Sequence, residues 1–369
     1  MSIRFYSLPI VEIRDESPDA YSLFFENPDP EVFRYHAGQY LTLKVNINGE
    51  EERRAFSLAS TPGHDETLRI TIKRVPEGKV SNYLRDELKV GDSIEVLPPM
   101  GSFKLIPDPE QSREYVLIAA GSGITPLMSM LKTVLHDEPQ SRVTLWYGNR
   151  KEEDIVFLPE LSQLTQAFGD RLSIRYTLSQ ASEDWKGFEG RLDEERIFKW
   201  ISNLFMRGEL RKRYYLCGPA GMMEAAERAL IKQAVNTDDI YQEYYSAPLP
   251  SEEEIARSYA IDEQGQEHIS DGENDYILDE RTITMKFEGQ THHLSVQPDE
   301  YILDAAIKIN LEPPYSCQAG TCSSCKAMLV SGTVAMDESL GLSDEELEQG
   351  YVLTCQCHPL DDDVVVEFE

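Results

Sequence analysis

Three rhythms of apolar and polar residues succeed one another along this chain of 369 residues. Over the first hundred, apolar and polar positions alternate in short runs, YLTLKV (40–45), LRITIKR (68–74) and DSIEVL (92–97), with Gly and Asn turns between them. A period of two marks strands buried on one face, and a succession of such strands predicts an antiparallel β-barrel. From residue 114 the rhythm changes. EYVLIAA (114–120), RVTLWYG (142–148), LSIRYTLS (172–179) and RYYLCGP (213–219) are nearly continuously apolar, with helical patterns between them. Leu127, Met130, Leu131 and Val134 form one helix face, and AGMMEAAERALIKQA begins another at 220. Strands buried on both faces and joined by helices predict an α/β doubly wound parallel sheet. The third rhythm opens with ITMKFEGQTHHLSVQPDEYILDAAIKIN (283–310), a hairpin followed by a helix with Leu303, Ala306 and Ile307 on its apolar side. KAMLVSGTVAM (326–336) and VVVEFE (364–369) complete a small α+β ubiquitin-like (β-grasp) fold.

The joints divide the chain into a barrel (1–110), an α/β domain (111–245), a tether (246–280) and the α+β module (281–369). The first joint is PDPEQS (107–112). The second has two prolines and few apolar residues, the profile of a solvated linker with a helical turn or two near 251–260. If flexible, 35 such residues span on the order of 30–35 Å root-mean-square, enough for a small module to move between two docking sites.

Charge changes the picture in one respect. The net charge is −31. Residues 1–245 hold 39 acids against 30 bases, the tether 11 against one, and the last 89 residues 16 against four. Nothing gathers the cations that phosphate backbones require, so nucleic acid is excluded as a partner. So acidic a surface serves solubility, or docks the C-terminal module on a basic partner patch. The N-terminus lacks an uninterrupted apolar core, and no run approaches the ~20 apolar residues of a membrane span, so a cytoplasmic protein with no membrane partner is expected.

Candidate chemistry concentrates at four cysteines. Cys317, Cys322 and Cys325 lie in CQAGTCSSC, and Cys355 follows after 29 residues. This is the C-x4-C-x2-C…C arrangement of a plant-type [2Fe–2S] cluster, in which a tight loop supplies three thiolates and a distant segment the fourth. Gly320 lets the backbone pass close to the sulfurs. Two disulfides would call for an export signal, and structural zinc takes its ligands as two close pairs. Cys357 is expected to be a spare buried thiol, sharing a face with Cys355 if the strand continues.

Three pieces of the barrel suit an anionic, aromatic cofactor. RRAFSLAS (53–60) puts an arginine, an aromatic ring and a hydroxyl on one extended segment. GKVSNYLRDEL (78–88) offers a helix start, with Ser81 as the expected N-cap and free N–H groups for a phosphate. PPMGSF (98–103) is the third. In the α/β region, GSGITP (121–126) and CGPAGMM (217–223) both follow strand C-termini, where ligands bind in such sheets. Gly121 and Gly123 would admit a pyrophosphate to the helix N-terminus; GSGITP is not a full G-x-G-x-x-G, and alone it also suits an ordinary βα turn.

Taken together, R-x-[YF]-S, G-x-x-S-x-x-L, P-x-G-x-F, GxGITP, CGP and the cysteine spacing resemble, in order, a flavin-dependent NAD(P)H reductase of the ferredoxin–NADP reductase superfamily fused to a plant-type ferredoxin. Within it the chain is similar to the reductase component of phenylacetyl-CoA epoxidase and the related steroid-hydroxylase reductases. The resemblance covers everything but the tether. It implies FAD, since relatives using FMN tend to carry Arg-Asn where this chain has Met100-Gly101. By resemblance, Arg54, Phe56, Ser57, Leu58, Lys73, Gly78, Lys79, Val80, Ser81 and Gly101 line the flavin, with Arg54 on its phosphates, Phe56 on its ring and Ser57 near N5. The family more often has Tyr at position 56. Gly121, Ser122, Gly123, Ile124, Thr125, Pro126, Cys217, Gly218 and Pro219 would cradle the nicotinamide cofactor. Thr125 and Cys217 would lie near its reacting ring, the thiol as a positioning group and not a nucleophile. Glu243 would lie near the flavin; whether Tyr244 or Tyr245 shields the ring is open.

The implied activity passes electrons from NADH or NADPH through FAD to the cluster, and on to the oxygenase component of a multicomponent monooxygenase. A Rieske-type steroid hydroxylase or a fatty-acid desaturase is the alternative acceptor. A redox sensor or an iron–sulfur scaffold is the non-enzymatic alternative, and intact flavin and nicotinamide motifs argue against both. NADH is the expected coenzyme: Arg150 follows WYGN, but Gln180 stands where NADPH users often place Arg.

Overall fold

The computed structural model describes residues 4–205, 210–245, 260–261, 267–270, 275–298 and 300–368. The alternating N-terminal runs form six antiparallel strands: β1 (Tyr6–Ser17), β2 (Ala20–Glu26), β3 (Tyr40–Ile47), β4 (Glu50–Ser57), β5 (Thr67–Lys73) and β6 (Ser93–Val96). Their order is β4-β3-β6-β1-β2-β5, and a bridge between Leu58 and Ile70 joins the two edges into a barrel. Asn48 and Gly49, at φ +56° and +92°, supply the left-handed turn that a tight β3–β4 hairpin needs. Inward residues such as Leu23, Phe25, Leu41, Leu43, Ile70 and Val96 fill the interior.

A helix α1 (Lys79–Asp86) follows β5. Its N-cap is Gly78, with no side-chain capping bond, so Ser81 is not the cap expected of it and lies in the first turn. The serine instead folds back, its Oγ accepting from the Val75 N–H at 3.2 Å. The bond draws residues 75–78 into the turn that precedes the helix, and the helix starts three residues earlier than expected.

Beyond the barrel, β7 (Arg113–Ala120), β8 (Arg142–Asn149), β9 (Leu172–Leu178), β10 (Phe188–Glu189), β11 (Arg211–Gly218) and β12 (Ile240–Tyr244) form a parallel sheet in the order β10-β9-β8-β7-β11-β12. The helices α2 (Ile124–Asp137) and α3 (Leu158–Phe168) bury Leu127, Leu131 and Leu161 on one face. On the other, α4 (Glu194–Phe205) and α5 (Ala220–Lys232) bury Ile197, Trp200, Met223 and Leu230. The chain runs from β7 to β8 on one side and returns to β11 on the other, so the switch point of this fold lies between β7 and β11. The partly polar IYQEY was not legible as a strand, and it closes the sheet's edge.

Residues Arg4–Tyr245 form one compact unit, and the described residues from Ala260 onward belong to a second. The expected helical turn near 251–260 lies outside the described residues except for Ala260. Ala260–Ile261, Glu267–Ser270 and Asp275–Ile277 are strands of a small antiparallel sheet, within the stretch expected to be a solvated linker. The density of charge masked Ile261, Ile269, Tyr276 and Ile277, residue types that favour strands.

In the C-terminal module a five-stranded sheet runs Gln290–Val296, Arg281–Phe287, Val365–Glu367, Lys326–Ser331, Tyr351–Leu353. The first strand in sequence pairs parallel with the last, and the helix Ile302–Lys308 packs Ile302, Ala305 and Ala306 against them. KAMLVSGTVAM splits: Lys326–Ser331 joins this sheet, while Val334–Met336 pairs with Cys357–Pro359. The strand expected to carry Cys355 and Cys357 on one face is interrupted. Cys355 sits in a 3-10 turn (Thr354–Gln356), and the two thiols face different clusters of the core. Cys357 is fully buried, as expected of a spare thiol.

Candidate functional site: a nicotinamide–flavin junction and a thiol loop

Ser57 ends β4, where the barrel meets the C-terminal end of the parallel sheet. Its hydroxyl donates to Glu243 Oε2 at 3.2 Å and lies 3.1 Å from the Tyr245 hydroxyl. Tyr245 in turn reaches the Ser122 carbonyl at 3.5 Å, and Thr125 Oγ1 donates to the same carbonyl at 2.8 Å. Tyr147 holds the first glycine, donating to the Gly121 carbonyl at 3.1 Å. The choice between the two tyrosines is thereby resolved in position. Tyr245 is at the junction, whereas Tyr244 bonds Gln242 and packs toward the opposite face of the sheet.

The glycines of GSGITP divide their work. Gly121 adopts φ +56°. A Cβ on Gly123 would lie 2.0 Å from the Cys217 carbonyl oxygen, so this glycine lets the start of α2 pack against the end of β11. That is the close helix–strand contact of such loops, beyond the access to a pyrophosphate expected of it. Ser122 and Ile124 flank it, and Pro126 is in the first turn of α2, where its missing N–H costs nothing. Gly218 and Pro219 lead from β11 into α5.

Burial sets the protonation of the junction. It pushes the Glu243 carboxyl up to about 8, offset only in part by the Ser57 hydrogen bond. It also pushes the Cys217 thiol well up, and neighbouring Glu243 adds to the shift. At neutral pH both are protonated, and Cys217 lacks the thiolate a nucleophile needs.

Along the barrel wall, Arg54 on β4 and Lys79 at the start of α1 meet at one carboxylate, Glu52, at 3.2 and 2.7 Å. Lys79 also pairs with Glu50, and Lys73 with Asp19 at 3.3 Å. Val80 is buried beneath the helix, and Tyr21 donates to the Ser81 carbonyl. Phe56 is partly buried against the barrel core, and Leu58 is fully inside it. Gly101, at φ +122°, rests over the Tyr40 ring, and Tyr40 pairs with Ser57, so PPMGSF comes to the same end of the barrel. Two cations and an uncapped helix N-terminus suit a pyrophosphate.

The cysteines fall into two pairs. Cys317 is within hydrogen-bonding reach of Cys322, and Cys325 of Cys355, with charge coupling between the pairs. Among the described residues no three metal-binding side chains converge on one point. Two adjoining pairs suit a two-iron cluster, each pair serving one iron. The Cys322 thiol, helped by Thr321 and the Ala319 N–H, holds the Cys317 thiol down to about 5 against burial, which pushes it up. The Cys325 thiol and the Gly320 N–H hold the Cys355 thiol down against burial, which pushes it up. Gly320, at φ +65°, leaves no room for a Cβ, which would meet Glu338. Gln356, beside Cys355, reaches the Gln318 carbonyl at 3.3 Å and ties the fourth thiol to the loop; nothing in its residue type signalled this.

Residues 7–105 match the oxidoreductase FAD-binding domain, 117–228 the oxidoreductase NAD-binding domain, and 285–360 the 2Fe-2S iron–sulfur cluster binding domain. The chain is 34% identical to one of the subunits of 1,2-phenylacetyl-CoA epoxidase from Escherichia coli (strain K12), over 99% of this chain and 98% of that protein. The chain belongs to the ferredoxin–NADP reductase superfamily, in the branch fused to a [2Fe–2S] ferredoxin. A second relative, the ferredoxin reductase component of 3-ketosteroid-9-alpha-monooxygenase from Mycobacterium tuberculosis, is 32% identical over 98% of this chain and 95% of its own. The crystal structure of phthalate dioxygenase reductase shares the fold, with a TM-score of 0.59 at 22% identity over 99% and 98% of the two chains. This reductase is an NAD(P)H-dependent flavin/iron–sulfur enzyme whose cofactors are FAD and a [2Fe–2S] cluster. Among the described residues no helix is long and apolar enough to cross a membrane.

Proposed function

We propose that this reductase supplies electrons to the oxygenase component of a multicomponent monooxygenase of the phenylacetyl-CoA epoxidase kind, in the cytoplasm. The observation that carries the reading is the convergence of Ser57, Glu243, Tyr245, Ser122 and Thr125 where barrel and sheet meet, in a chain that also bears paired thiols. When bound, FAD would supply a centre that takes a hydride and releases electrons singly, and the [2Fe–2S] cluster a one-electron outlet, at roughly −400 mV for plant-type clusters. The protein's part is placement. Arg54, Lys79 and the N-terminus of α1 hold the flavin's phosphates, with Lys73, Gly78, Val80, Ser81 and Gly101 around them. Phe56 and Leu58 support the ring. Ser57 presents its hydroxyl to the reacting nitrogen, and protonated Glu243 keeps a proton beside it. Gly121–Pro126 seat the coenzyme, while Thr125, Cys217, Gly218 and Pro219 close around its ring; Cys217, buried and neutral, helps to position it and is not a nucleophile. Cys317, Cys322, Cys325 and Cys355 ligate the irons.

The test is reconstitution. Purified reductase, NADH and a candidate epoxidase oxygenase should give product coupled to coenzyme oxidation. Turnover with a Rieske-type hydroxylase or a desaturase, and with no epoxidase, would redirect the assignment. The coenzyme is assigned as NADH, because Gln180 offers no charge to a 2′-phosphate; a tenfold higher kcat/KM for NADPH would reverse that.

A further inference from the structure

The barrel and the nicotinamide-binding domain meet along a string of five charges of alternating sign that no role assigned above requires. Glu16 and Arg69 belong to the barrel, and Arg69 Nη2 donates to Glu16 Oε1 at 2.7 Å. Arg69 Nη1 crosses to Glu160 of α3 at 2.7 Å. Glu160 is 3.4 Å from Lys132 of α2, and Lys132 crosses back to Asp65, on the β4–β5 loop, at 3.0 Å. The side chains of Glu16, Arg69 and Lys132 are 8, 5 and 9% exposed and those of Glu160 and Asp65 28 and 40%, so the cations are shielded from water while the string opens to it at Asp65. Arg69 is also sandwiched between Phe24 of the barrel and Phe157 of the opposite domain, 5.2 and 4.5 Å from their ring centres. A third crossing lies nearby, where buried Ser129 of α2 donates to the Ser60 carbonyl at 2.6 Å.

The elements joined are the ones that present the two reactants. Helix α2 begins at the glycine loop, and its residues 129 and 132, one turn apart on one face, dock on the segment that directly follows Ser57. Three separate crossings fix a rigid body, where one would leave a pivot. Buried ion pairs repay little stability, because desolvation offsets the attraction, but their geometry is directional and admits one register. Hydride transfer requires reacting atoms about 3–3.5 Å apart, and a displacement of ~1 Å can cost on the order of 100-fold. We propose that Lys132 and Glu160, with Arg69 and Ser129, are positioning residues: they clasp the nicotinamide domain to the flavin barrel and so set the donor–acceptor distance. The inference rests on the nicotinamide–flavin reading given above.

The test uses full-length holoenzyme, mixed anaerobically with NADH in a stopped flow and followed at the flavin band. Glu160→Gln and Lys132→Met should each lower the limiting rate of flavin reduction at least tenfold. The coenzyme half-saturation should change by less than twofold, and the primary isotope effect with 4-deuterated NADH should be at least as large as in the wild type. Lys132→Arg should recover the rate to within about threefold. A general loosening of the fold would not separate rate from affinity in this way. Limiting rates within twofold of the wild type, in variants that retain their FAD, would overturn the proposal. If either variant loses flavin, Ser129→Ala, which leaves every charge in place, decides: a three- to tenfold fall supports the clasp, and no change refutes it. A wild type whose flavin neither NADH nor NADPH reduces would overturn the underlying reading, and the clasp with it.

Discussion

The two redox regions of this molecule are built in opposite ways. The thiol loop draws three of its four groups from nine consecutive residues and receives the fourth on a short turn. The nicotinamide–flavin junction is gathered from four strands and two helices, between positions as far apart in sequence as Ser57 and Tyr245. A cluster held by covalent ligands needs only local geometry, whereas a hydride passing between two non-covalent cofactors needs two domains held in register. The first is robust to distant change and intolerant of its own ligands' loss. The second should show the reverse, with graded effects spread over many positions.

That contrast can be broken in descending order of effect. Cys355→Ser should abolish the cluster's visible absorbance and paramagnetic signal and stop cytochrome c reduction, while flavin reduction by NADH stays within twofold of the wild type. Loss of both steps together would mean that the regions are not separable. Ser57→Ala should slow flavin reduction by on the order of 100-fold, the effect expected of one positioned hydrogen-bonding group at a reacting centre. It should leave the iron content intact. A change under threefold would remove Ser57 from the reaction.

Glu243 gives a pH test. Its folded-state carboxyl is raised to about 8 by burial, above its unfolded value near 4.5. The stability it confers when neutral is therefore fully present below about 4.5, declines as pH rises towards about 8, and is flat beyond. Flavin reduction should fall above pH 8 as the site takes on a negative charge, and Glu243→Gln should flatten that limb. A limb that persists in the variant would assign it to another group. The smallest effect should come from Gly123→Ala, whose Cβ meets the Cys217 carbonyl. Overpacking of this kind costs ~1–3 kcal/mol, seen as a Tm lowered by several degrees. An unchanged Tm would show that the loop yields.

The same contrast explains what could be read in advance. The cysteine spacing carries its geometry within one loop, so it was legible residue by residue. Period-two and continuous apolar runs identified the barrel and the parallel sheet because burial alone sets them. Ser81 was misplaced as a cap because its hydroxyl had another use, the Val75 N–H. Tyr245 could not be told from Tyr244 until β12 was seen to end at Tyr244, which packs toward the opposite face of the sheet and leaves Tyr245 just beyond the strand at the junction. Lys132 and Glu160 were invisible for a different reason. A charge on an amphipathic helix reads as solvated surface until a second domain covers it.

The most direct test of the account is to mix the oxygen-free holoenzyme with a stoichiometric amount of NADH and follow two signals in one experiment. The flavin absorbance should bleach, and the electron paramagnetic resonance signal of a reduced [2Fe–2S] centre should then grow in the same sample. Flavin bleaching with no iron signal, or no bleaching at all, would contradict it.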